Sequence, residues 1–76
     1  MTEHEARDLL ALALGRPVAP DEQPRRGVSN DWDSLHHVEL MFLIEERTGS
    51  MPTPEALARI VDVSSLAGEV SLLERQ

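Results

Sequence analysis

Ala6, Leu9, Leu10 and Ala13 recur at i, i+3, i+4 and i+7, a spacing that gathers them on one side of a 3.6-residue helix. Thr2 and Glu5 precede the stripe at capping-box spacing. Gly15 is a natural stop and Pro17 prevents continuation. The next stretch, Arg16 to Asp33, has no such periodicity and holds Pro17, Pro20, Pro24 and Gly27. Connections of that length are uncommon in small domains unless they carry function or lack order. Val18, Val28 and Trp32 are the residues expected to pin it to the core. A second helix is predicted from Ser34, with Asp33 as N-cap, Arg47 in the last turn and Gly49 as the stop. Thr53-Pro54-Glu55 is a cap, a first-turn proline and an early acid. It opens a short third helix that takes in Ala56, Leu57 and Ile60. Asp62 is placed to cap a fourth helix, whose stripe is Val63, Leu66, Ala67, Val70 and Leu73. No segment alternates as a strand does, and no repeat is present. The expected fold is a single all-α domain over 1–76: a four-helix bundle with three main helices, one short helix and a long first loop.

The second helix carries more apolar surface than a bundle helix needs. At roughly 100° per residue, Leu40, Met41, Leu43 and Ile44 form one broad arc, suited to the core. Leu35, Val38 and Phe42 form a second, narrower arc. Glu39 and Glu46 border it on one side and Glu45 on the other, and Ser34 lies near the same border. One stripe suffices for a surface helix. Two explanations compete for the second: cover by the long loop through Trp32 and Val28, or an exposed docking patch rimmed by acid. A mixture is expected, with Leu35 partly covered and Val38 and Phe42 more available.

Composition narrows the function classes. With 76 residues the chain buries a modest core,, and has little material for a walled catalytic cleft. Its 14 acidic and 7 basic residues give a formal charge of −7. Such a surface repels nucleic-acid phosphates and favours partners with basic patches. There is no cysteine, which excludes disulfide staples, thiolate metal sites and cysteine nucleophiles. The opening MTEHEARDLL is acidic and has no uninterrupted apolar region, so it does not read as a signal peptide. No apolar run is long enough to span a bilayer. The expectation is a soluble, monomeric cytoplasmic protein that binds no membrane.

The run Asp33-Ser34-Leu35-His36-His37-Val38-Glu39-Leu40 resembles the Asp-Ser-Leu signature of acyl and peptidyl carrier proteins. In that family the signature opens the second helix and often continues into Val-Glu-Leu. Glu45-Glu46, the turn through Gly49, Pro52, the short helix ending at Ile60 and the last amphipathic helix sit at matching places. The similarity covers Trp32 to about Val70, and the first helix by pattern only. The tripeptide alone is weak, since short strings recur by chance. Its position, at a helix start after a long loop in an acidic four-helix chain, makes it specific.

The resemblance implies that Ser34 receives 4′-phosphopantetheine from coenzyme A through a magnesium-dependent phosphopantetheinyl transferase. The terminal thiol of that arm then carries an acyl or aminoacyl group as a thioester. It also implies that Asp33 supports the transfer step, and that Leu35, Val38, Glu39, Phe42, Glu45 and Glu46 meet partner enzymes. Those partners are acyltransferases, adenylating enzymes or synthases with basic docking patches. The carrier itself is no enzyme. Trp32 directly before Asp33-Ser34-Leu35 resembles free-standing carriers of specialised-metabolite pathways, of polyketide or nonribosomal-peptide type, more than the fatty-acid carrier. Asp31, where a Gly is frequent, and His36 and His37, in place of an acid and a small polar residue, are further departures.

Elementary chemistry agrees with a modified serine at this point. A helix N-terminus presents unpaired N–H groups and a positive dipole end, which favour phosphate. The competing reading is a non-carrier adaptor that uses the Leu35/Val38/Phe42 stripe with Ser34 unmodified. His36 and His37 diverge by roughly 100° on a helix, so they do not converge on a metal as an i, i+4 pair does. They are expected at the surface, as is His4. No metal site is expected. A Ser-His-Asp grouping around Ser34 lacks converging directions and an oxyanion cavity. Trp32 is expected as a loop anchor, and Arg25-Arg26 as a solvated pair.

Overall fold

A computed structural model describes residues 1–75. The chain forms four helices: α1 (Glu3–Leu14), α2 (Ser34–Thr48), α3 (Pro54–Arg59) and α4 (Val63–Glu74). Each starts where the sequence supplies a cap. Thr2 accepts from the Glu5 N–H while the Glu5 carboxylate accepts from the Thr2 N–H, a complete capping box,. Asp33, Thr53 and Asp62 cap α2, α3 and α4 in the same way, through the backbone N–H three residues on,. α1 and α2 end on Gly15 and Gly49 in left-handed backbone, where a side chain would be strained. α3 ends one residue earlier than the pattern implied. Ile60 has extended backbone and caps the helix, but its side chain is still fully buried.

α1 packs against α2 and α4, and α3 leans on α4. The core is the predicted stripe of α1 with Leu14, Trp32 of the first loop, Leu40 and Ile44 of α2, Ile60, and Val63, Leu66, Ala67 and Val70 of α4, with Leu73 of the expected α4 stripe only partly buried against it. Leu43 packs at its edge, and Met41 is half-buried. Among the described residues no helix is long and apolar enough to cross a membrane.

The first loop is held rather than free. Gly27 adopts φ 80° and its N–H donates to the Trp32 carbonyl at 3.1 Å. That conformation closes a turn that a side chain would oppose. The Arg26 N–H donates to the Val61 carbonyl at 2.9 Å, and Arg25 bridges Asp62 in antiparallel fashion. The loop is thereby tied to the junction before α4. At its other end the Arg16 guanidinium holds the Asp31 and Glu22 carboxylates. Trp32 is fully buried, as expected of a loop anchor, and Val18 packs partly against the core. Val28 does not anchor: it is 76% exposed, because the turn around Gly27 carries it outward.

Candidate functional site

Ser34 is the first residue of α2 and is exposed. Among the described residues nothing hydrogen-bonds its hydroxyl. The capping duty falls instead on Asp33, whose Oδ1 accepts the His36 N–H at 3.0 Å. The same oxygen lies 2.7 Å from His36 Nδ1. A carboxylate only accepts, so Nδ1 carries the proton there. These contacts, the backbone one first, hold the Asp33 carboxyl below its ordinary range. Asp33 and His36 thus form the pair that a serine triad requires, although the sequence had suggested diverging directions. No bond joins the imidazole to Ser34, and Ser34 lines neither of the depressions along α3 and α4. The hydroxyl stands free at the exposed helix start.

The outer arc of α2 is open to solvent along its length. Leu35 is 70% exposed, Val38 43% and Phe42 53%. The expectation that Leu35 would be partly covered is therefore corrected. The loop turns away at Gly27 and takes Val28 with it, while Trp32 goes inward beneath α2. Nothing from the loop lies over Leu35. Glu39, Glu45 and Glu46 are exposed beside the arc, and none forms a salt bridge among the described residues. Arg47, the nearest cation in sequence, reaches the other way, to Glu5 at 3.0 Å and Glu74 at 3.6 Å. The patch therefore presents three unpaired carboxylates around apolar side chains.

The histidines separate sharply. His36 is half-exposed at the helix start. His37, expected at the surface, is only 6% exposed. Its Nδ1 lies 3.0 Å from the Trp32 Nε1–H, and its Nε2 lies 2.9 Å from the Leu57 carbonyl. The physical reason is its place on the wheel. Position 37 falls one turn before Leu40 and Met41, on the inward side of α2, where only a paired polar group is tolerated. Arg25 and Arg26 are exposed, as expected of a solvated pair, and the Arg26 guanidinium also comes within 3.0 Å of His37 Nε2. Sequence reasoning missed this cluster. The available signal was the spacing of Trp32 and His37 across the helix start, which brings a buried indole N–H, needing an acceptor, next to a ring nitrogen.

No protein-family model, curated protein or solved structure matches the chain.

Proposed function

We propose that this chain is a discrete acyl or aminoacyl carrier of specialised-metabolite type, armed with 4′-phosphopantetheine at Ser34. The observation that carries the reading is the free Ser34 hydroxyl at the start of α2, set beside an exposed apolar arc edged by unpaired acids. A serine serving only as a cap would be bonded; here Asp33 does that work, and the hydroxyl is left reachable. The four-helix fold with its held first loop is compatible with the resemblance carried by Asp33-Ser34-Leu35.

In the transfer step the Ser34 oxygen attacks the phosphorus that bears the pantetheine. A new P–O bond forms, the pyrophosphate P–O bond of coenzyme A breaks, and adenosine 3′,5′-bisphosphate leaves. The hydroxyl proton passes to a base on the transferase. The α2 N-terminus favours the phosphodiester that results, and Asp33, kept ionised by His36, offers a carboxylate to the metal side of the reaction. Once attached, the arm supplies the thiol that the cysteine-free chain lacks. Leu35, Val38 and Phe42 form the apolar centre of the docking surface for acyltransferases, adenylating enzymes or synthases. Glu39, Glu45 and Glu46 meet basic residues around it.

Intact-mass measurement after incubation with coenzyme A, magnesium and a broad-specificity phosphopantetheinyl transferase tests this. The expected result is addition of one arm to the native chain and none to Ser34→Ala. An unchanged native mass with several competent transferases would sink the carrier reading. The exposed stripe would then favour the adaptor, whose partner binding survives Ser34→Ala and fails on Phe42→Ala.

A further inference from the structure

The buried contacts of His37 join three parts of the fold. Trp32 brings the first loop, Leu57 brings α3, and His37 itself belongs to the first turns of α2. The indole Nε1–H can only donate, so His37 Nδ1 must accept and carries no proton. The remaining ring proton is then on Nε2, where it donates to the Leu57 carbonyl. This neutral tautomer makes both bonds; the other makes neither. With a proton on Nε2, the Arg26 guanidinium opposite it is a neighbouring positive charge and not a donor to the ring. A second proton on the ring would set Nδ1–H against the indole N–H, donor against donor, beside the Arg26 charge.

We propose that His37 is a proton-responsive latch: the neutral imidazole fastens the first loop and α3 to the Ser34 end of α2, and its protonation releases the Trp32 side. The groups around it leave the imidazolium without a counter-charge. From the loop the facing group is Arg26, which is positive. From α3 it is the uncharged Leu57 carbonyl; the charged residues of that helix, Glu55 and Arg59, are exposed, and Arg59 is bound to Glu69. On α2 itself, the Asp33 carboxylate is engaged by His36. Burial first, and the Arg26 charge in addition, hold the His37 imidazole below its ordinary value of 6.5, against an opposing pull from the Leu57 carbonyl,. The latch stands whether or not Ser34 carries an arm. If it opens, the segment that precedes Ser34 loses its anchor to α2.

Imidazole nitrogen NMR on the full chain, stepped from neutral to mildly acid pH, tests this directly. The expected result is a neutral Nε2–H tautomer for His37 and a midpoint below 6.5. The Trp32 indole resonance should move with that midpoint, and hydrogen-exchange protection at the indole and in α3 should fall across it. An Nδ1–H tautomer, a midpoint at or above 6.5, or an indole that tracks His36 instead would overturn the proposal. Trp32 is the only tryptophan and the chain has no tyrosine, so intrinsic fluorescence reports the same event. His37→Gln should abolish the fluorescence step and His36→Gln should keep it; the reverse pattern refutes the latch. Should His37→Gln fail to fold, the native-chain NMR decides alone.

Discussion

The two faces of α2 lie on one helix and meet opposite fates. The inner face holds Leu40 and Ile44, both fully buried, with His37 one turn above them. The outer face holds Leu35, Val38 and Phe42, all open to water. Hydropathy alone would exchange the two extremes, burying Leu35 and exposing His37. What distinguishes them is the supply of partners. Inside, an indole N–H and a carbonyl satisfy the imidazole, so its burial leaves no polar atom unpaired,. Outside, the apolar arc stays exposed, and carboxylates without a salt bridge among the described residues surround it. Such a patch is costly to leave exposed in a small domain, which supports the proposed docking surface.

Stability measurements sharpen this contrast most strongly in the core. Leu40→Ala should cost about 2–5 kcal/mol in chemical denaturation, since it combines lost burial with a cavity. His37→Leu comes next. It strands the Trp32 N–H, while the Leu57 carbonyl keeps the Ile60 N–H, and leaving a buried polar group unsatisfied costs about 1–3 kcal/mol. His36→Leu, at the exposed end of the same turn, should change stability far less. If His37→Leu proved neutral, the inner face would be held by packing alone.

The pH response separates the two regions further. The folded chain takes up a proton at His37 at lower pH than the unfolded chain does. Stability from this group is therefore complete above about 6.5 and declines as the pH falls below it,. Carboxylates act in a lower window. Glu5 is held down to about 2 by the Thr2 N–H first and Arg47 next, and Asp31 is held low by Arg16. Their contributions are present above the ordinary carboxylate range and fade as the pH drops through it towards the folded values. Acid titration followed by circular dichroism should show an early loss that His37→Gln removes and a later one that it leaves. A single late transition in the native chain would contradict the separation.

The smallest expected effect on stability lies outside. Phe42→Ala and Val38→Ala should alter unfolding free energy by no more than about 0.5 kcal/mol, as exposed substitutions do. On the proposed carrier reading partner binding should suffer instead, measured against a phosphopantetheinyl transferase. Glu39→Lys should slow association, most clearly at low salt, where charge steering is strongest. A Phe42→Ala variant as destabilised as Leu40→Ala would mean that the outer arc is covered after all.

Much of the architecture is legible without coordinates because its signals are local. Capping boxes and stop glycines act within one turn, so the starts of α1, α2, α3 and α4 follow from Thr2, Asp33, Thr53 and Asp62. The stripe of α1 is periodic enough to assign its buried face. Ser34 is legible as a candidate because Asp33-Ser34-Leu35 stands at a helix start. The loop is not legible in the same way. Val28 and Trp32 are both apolar and four residues apart, and only the turn at Gly27 sends one outward and the other inward.

The sequence by itself determined the number and starts of the helices, the identity of their N-caps, the acidic character of the chain and the position of the serine at a helix start. These rest on contacts between residues a few positions apart, or on charge counted along the chain. Only the tertiary structure decided that the loop leaves Leu35 bare, that Arg26 faces a ring, and that His37, inward by its place on the wheel, joins Trp32 to Leu57. Each depends on where a distant segment comes to rest. Leu57 is twenty residues from His37, and no local pattern encodes that meeting.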